Sequence, residues 1–157
     1  MDATARTRNF KRSFEVNFAA AYTETDVWYP GEEFDTTSRK EWLEINYLDF
    51  GRDDWGNGNG GRTNNSNVVI EANVLVKESG SVRQTQADRA DALADIVIDI
   101  LNNRRISLMD YVENGGSATE QTIISLGETQ QVNLPKREDG IQTINLRVSA
   151  QWEGLFN

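Results

Sequence analysis

Apolar side chains recur every four residues at Phe10, Phe14 and Phe18, with Val16, Ala19, Ala21 and Tyr22 close by, which lines three rings along one stripe of a helix. The spacing predicts a helix over about 6 to 22. Thr23, Thr25, Asp26, Pro30 and Gly31 break it and leave Val27, Trp28 and Tyr29 as a short extended piece before Pro30, with Trp28 as its large anchor. Over 41 to 49 the period changes to two. Leu43, Ile45 and Tyr47 share one face, Trp42, Glu44, Asn46 and Leu48 the other, as in a half-buried strand. Val68 to Lys77 alternates in the same way and predicts a second strand, antiparallel to the first.

Between these strands, Phe50 to Asn67 carries Gly51, Gly56, Gly58, Gly60 and Gly61, five asparagines, and little that is apolar beyond Phe50 and Trp55. The composition predicts a long mobile loop over 51 to 67. From Arg83 to Asn103 the period returns to that of a helix, with Ala87, Ala90, Ala94, Val97 and Leu101 at spacings of three and four, and Arg104 and Arg105 suit the dipole at its C-terminal end. Gln121 to Leu126 and Ile141 to Trp152 read as strands, the second with Ile144, Leu146, Val148, Ala150 and Trp152 on one face. The polar stretch from 127 to 140 between them predicts a hairpin arm or an extended edge. There is no internal repeat. This order predicts one α+β domain over residues 1–157, an antiparallel or mixed sheet with two helices on one face, a Gly/Asn-rich loop and a polar hairpin arm.

Composition narrows what such a domain can do. Its 157 residues are 38% apolar, enough for a core, and 16 basic against 25 acidic side chains give a net charge of -9. That average field opposes non-specific attraction to nucleic acid or anionic lipid. With no Cys and no His, disulfides, thiolate nucleophiles, Cys/His zinc sites, imidazole bases and the Ser-His-Asp triad are all excluded. The first twenty residues carry Arg6, Arg8, Lys11, Arg12 and Glu15 and no apolar block of signal-peptide length, and no apolar run reaches the length of a membrane span. Use in a cytosol, with no secretory signal and no membrane partner, is the expectation.

Each chemical motif has a plainer explanation. Gly56, Gly58 and Gly61 match G-x-G-x-x-G formally, but a strand follows them where a dinucleotide site needs a helix, and no Lys-Ser or Lys-Thr follows as in a phosphate loop. Asp88, Asp91, Asp95 and Asp99 form an acidic stripe along the second helix; without loop oxygens it reads as a solvated or subunit-facing surface rather than a cation site. Asp53 and Asp54 are neighbours on a chain without rigid support, unsuited to paired acid/base work, and Asn64-Asn65-Ser66 is a glycosylation sequon without a secretory route. No metal, cofactor or catalytic residue is therefore expected. Arg6, Arg8, Lys11 and Arg12 against Asp2 make the first twelve side chains net positive on an acidic chain, the clearest local hint of a partner, which could be the acidic stripe of another copy. Trp42 and Trp55 are candidate interface anchors, whereas Trp152 reads as core.

The layout resembles the tail terminator, or tail completion, proteins of tailed bacteriophages. The residues that carry the likeness are the helix Arg6 to Tyr22, the Trp28-Tyr29-Pro30 entry, the strand Glu41-Trp42-Leu43-Glu44-Ile45, the Gly-rich interruption, the strand Val68 to Val76, the segment Ala87 to Asp95, and a closing strand ending Gln151-Trp152. The likeness spans nearly the whole chain through texture rather than an invariant motif. It implies a homohexameric ring that caps the head-proximal end of the tail tube, ends tube polymerisation and joins the tail to the head-neck connector. Its partners would be the tail tube protein, the connector and, in a contractile tail, the sheath, with genomic DNA sliding through the lumen. The protein would be a virion component assembled in the host cytoplasm, without catalysis. The 51–67 loop, expected to order on docking, and the 127–140 arm depart from the family in length. A connector or stopper ring and a tail tube subunit share this setting, though a tube subunit polymerises without limit. An enzyme would need paired rigid acids, which the sequence does not offer.

Overall fold

The structure, a computed structural model, describes residues 3–56, 62–78, 85–111, 118–135, 137 and 139–156. Two helices, α1 (Ala3–Ala21) and α2 (Gln86–Leu101), accompany seven strands: β1 (Val27–Trp28), β2 (Glu41–Gly56), β3 (Arg62–Val76), β4 (Arg105–Asp110), β5 (Thr119–Leu126), β6 (Gln130–Asn133) and β7 (Gln142–Phe156). They form a single α+β domain whose sheet has the order β1-β2-β3-β7-β5-β4, with β6 also beside β7. Only β1 with β2 is parallel; the other pairs are antiparallel, so the sheet is mixed at one edge.

The aromatic stripe of α1 explains where that helix sits. Phe10, Phe14 and Phe18 are fully or almost fully buried, and Phe10 stacks on Trp152 of β7 at 4.6 Å between ring centroids. Toward β2, Phe10 and Phe14 meet the Tyr47 ring edge-on, and the Tyr47 hydroxyl donates to Glu15 at 2.9 Å. Toward β4, the Met109 N–H donates to Ser13 Oγ at 2.9 Å and the Tyr111 N–H to Asn9 Oδ1 at 3.2 Å. β2 and β4 stand far apart in the strand order, so one helix can reach both only because the sheet curls around it. Asn9 and Ser13, both buried, also give the edge strand β4 the partners its exposed ladder would lack.

The second helix packs Ala90, Leu93, Ala94, Val97 and Leu101 onto the same core as Leu43 and Ile45 of β2, Ile70 and Val74 of β3, and Ile144 and Leu146 of β7. Thr85 is its N-cap: its hydroxyl oxygen accepts from the Asp88 N–H, and its own N–H donates to the Asp88 carboxylate, a capping box. Arg89 ties the helix to β2 through a two-point ion pair with Glu41, at 2.9 and 2.8 Å.

Two features depart from the expectation. The stretch from 51 to 67 is not a long loop: β2 and β3 pair from Gly51↔Asn67 to Gly56↔Arg62, and β7 continues the ladder from Ser66↔Trp152 to Arg62↔Phe156. Residues 57–61 lie outside the described set. Backbone ladder bonds are indifferent to side-chain polarity, so Asn and Ser residues flanked by two partner strands stay extended. An irregularity between Leu48 and Gly51, with Asp49 at φ 51°, absorbs one extra residue on β2. The 127–140 stretch keeps to the expected hairpin edge, with β6 paired to β7 over four residues. Finally, β4 had no counterpart in the pattern, although Ile106 and Leu108 alternate with exposed neighbours.

If α1 closes the curl, Phe10→Ala should cost about 3–5 kcal/mol of unfolding free energy. Val16→Ala on the exposed side of the same helix should stay within about 0.5 kcal/mol. Urea unfolding of both variants checks the contrast.

Candidate functional site

The basic cluster lies on the solvent side of α1. Lys11 Nζ sits 5.5 Å from the centre of the Tyr47 ring and 5.6 Å from that of Phe50, and the Arg12 guanidinium lies 4.5 Å from the Tyr111 ring. Arg8 is exposed. Arg6 is in the helix, its side chain outside the described set. With Thr7, Glu15 and Pro30, residues Arg8, Lys11 and Arg12 line a shallow groove of about 600 Å³. Lys11 and Arg12 are thus held over aromatic faces, an arrangement that keeps their charge at the surface while burying part of their stems. Phe50, 44% exposed, adds an apolar rim.

Asp88, Asp91, Asp95 and Asp99 are all exposed on α2, opposite its buried face. Asp88 is committed to the cap. Among the described residues no three acids come together to hold a metal ion. The two charged faces lie on different helices.

The tryptophans divide differently from the expectation. Trp42 is 3% exposed: on the sheet face away from the helices it packs with Leu75, Ile141 and Phe34 in a second small cluster. The segment after β1 covers it, because Trp28 stacks on Phe34 at 5.5 Å and Arg39 lies over the Phe34 ring. It is not an exposed anchor on this subunit. Trp55 lies in the distal part of β2, its side chain outside the described set. Trp152 is core, as expected.

Sequence reasoning missed a polar network on the outer face of the sheet. Glu71 receives Asn73 at 3.2 Å and Asn46 at 3.4 Å, and Arg147 reaches its other oxygen at 3.2 Å; Asn145 donates to Asn73 at 2.7 Å. Burial alone pushes the Glu71 carboxyl up, but the amide hydrogen bonds and the Arg147 charge outweigh it and leave it below its ordinary value. The signal was present as polar residues on the outward positions of three strands whose inward positions are apolar. Asn9 and Ser13 were also legible, as a second i, i+4 row beside Phe10 and Phe14.

No protein-family model matches the chain, and no curated protein matches it in sequence. Solved structures do share its fold. A chain from the virion of a native gene transfer agent particle aligns over 96% of this chain and 98% of its own, with a TM-score of 0.53 and 16% identity. An NMR structure aligns over 96% and 95%, also with a TM-score of 0.53, at 12% identity. At these identities the likeness is one of fold.

Next to the basic groove, burial raises the Glu15 carboxyl above its ordinary value despite the hydrogen bond from Tyr47. Burial likewise raises Tyr47, and pushes Tyr22 and Tyr29 up to about 12 from 10.0. The unfolded chain releases these phenolic protons near pH 10, whereas the folded chain keeps them. The tyrosine contribution to stability is therefore complete below pH 10 and falls as pH rises from 10 toward 12. Urea midpoints measured between pH 8 and pH 11.5 should drop only past about pH 10, and Tyr22→Phe should flatten part of that drop.

Proposed function

We propose that this chain is a structural subunit of a phage-like virion, and within it a tail terminator: a ring that caps the head-proximal end of the tail tube, stops its growth and presents the tail to the head-neck connector. The observation that carries the reading is the fold shared with a gene transfer agent virion chain over nearly the full length of both. The terminator role rests further on the resemblance in layout noted from the sequence. The subunit has what a ring requires, two unlike surfaces: a basic groove on α1 and an acidic face on α2. A net charge of -9 suits a channel wall past which DNA slides without adhering. No catalytic role is assigned to any residue.

Light scattering of the protein alone and with preformed tail tubes, followed by negative-stain imaging, tests this. A closed ring found at one tube end only is the expected result. Unlimited polymers would make the protein a tube subunit, and indifference to tubes would point to the head-side neck or away from virions.

If opposite charge brings neighbouring subunits together, combined Arg8→Glu, Lys11→Glu and Arg12→Glu substitutions should weaken ring assembly. The defect should be greatest at low salt and shrink as the screening length falls from about 10 Å at 0.1 M toward about 3 Å at 1 M. Sedimentation velocity across a salt series measures it, and assembly unchanged at low salt would leave the cluster as plain solvated surface.

A further inference from the structure

The edges of this sheet are unevenly protected. β4 is covered by Asn9 and Ser13 of α1. β1 shields β2 only at Leu43 and Glu44, and β6 shields β7 only from Ile144 to Arg147. As edges, β1 and β6 have two and four residues and make poor templates for another chain. Among the described residues two long edges have no partner strand: β2 beyond β1, and β7 beyond its last pair with β5. Both flank the three-stranded ladder that carries β2, β3 and β7 past the core.

The hydrogen bonds show which backbone groups face outward. Thr143 and Ser149 accept from Leu134 and Gly127, at 3.4 and 2.9 Å, so the odd-numbered residues of β7 turn their backbone toward β5 and β6. By the period of a strand, Glu153 and Leu155 turn theirs the same way. There β5 has diverged, because it shares with β7 only Ser125↔Gln151 and Leu126↔Ala150. A cleft of about 480 Å³ opens between the two strands, lined by Asn65, Arg105, Thr122, Ile123, Gln151 and Glu153 among others. On the far side of the ladder, the Leu43 N–H donates outward to Asp26 at 3.0 Å. The extra residue between Leu48 and Gly51 shifts the alternation, so beyond it the backbone groups of Arg52 and Asp54 point away from β3.

We propose that a second copy of this chain fills the cleft, the open edge of its β2 adding to the open edge of β7 as the next strand. Both halves of the junction are present on one subunit, on opposite sides of the same ladder. β2 and β7 are each antiparallel to β3 and so run in the same direction, which lets copies related by rotation about an axis along the strands join β2 to β7 as a parallel pair without reversal. The contact is head-to-tail, uses main-chain hydrogen bonds, and repeats from subunit to subunit. Its closure into a ring rests on the virion reading above; the pairing itself does not.

Glu153→Pro removes one amide hydrogen that points into the cleft and spares the bonds to β3, whereas Glu153→Ala keeps the amide and removes only the carboxylate. Light scattering over rising concentration should show the wild type and Glu153→Ala assembling, with Glu153→Pro and Asp54→Pro staying monomeric. Hydrogen exchange on the assembled wild type should slow the Glu153 and Leu155 amides at least tenfold relative to the monomer, a readout that holds even if a proline variant fails to fold. Assembly of both proline variants at wild-type strength, or equal exchange of those amides in monomer and assembly, overturns the pairing. A wild type that stays monomeric at every concentration also overturns it, while its binding to tube ends would still uphold the virion reading; self-assembly without tube binding would do the converse.

Discussion

The stacking of Phe10 on Trp152 fixes how the sheet and α1 meet, and most of the architecture follows from it. A helix with a single aromatic stripe must bury that stripe, and a flat sheet would offer it only one side. Here the sheet curls, so β7 lies beneath the stripe, Tyr47 of β2 flanks it and β4 runs beside it. The rings supply the apolar area; Asn9 and Ser13, one turn apart, supply the hydrogen bonds that let a strand edge end against a helix instead of against water.

With α1 and α2 occupying the inner face, the outer face has to satisfy itself. It does so in two zones. Near the start of β2, Trp42, Leu75 and Ile141 form a small apolar cluster closed by Phe34. Farther along, Glu71, Asn73, Asn145 and Arg147 form a connected polar network that holds neighbouring strands in register. The backbone ladder of β2, β3 and β7 continues past this network, and among the described residues its outer edges have no partner strand at that end.

The charge distribution has a similar logic. The basic groove lies on α1 and the acidic face on α2, and the cation held over Tyr47 and Phe50 is positioned rather than free. Surfaces of opposite sign on one acidic subunit favour association in a fixed direction and disfavour face-to-face pairing of like surfaces. Under the proposed reading these surfaces serve assembly; the fold itself also occurs in a chain of a gene transfer agent virion.

Periodicity along the chain determined the two helices, the strand cores of β2, β3, β5 and β7, the inward positions of the Phe row and Trp152, and the α+β class, because each of these depends on side chains a few residues apart. Lack of Cys and His closed off whole chemistries before any folding was considered. Tertiary structure alone decided that the Asn- and Gly-rich flanks of 51–67 are strands, since the 62–67 flank is held on both sides, by 51–56 and by β7, far away in sequence. It also decided that Trp42 is buried, by bringing Phe34 over it, and that β4 completes the sheet, by bringing Asn9 and Ser13 to its edge. Local patterns record which side chains avoid water; which distant backbone will pair with a polar segment is settled only when the chain has folded.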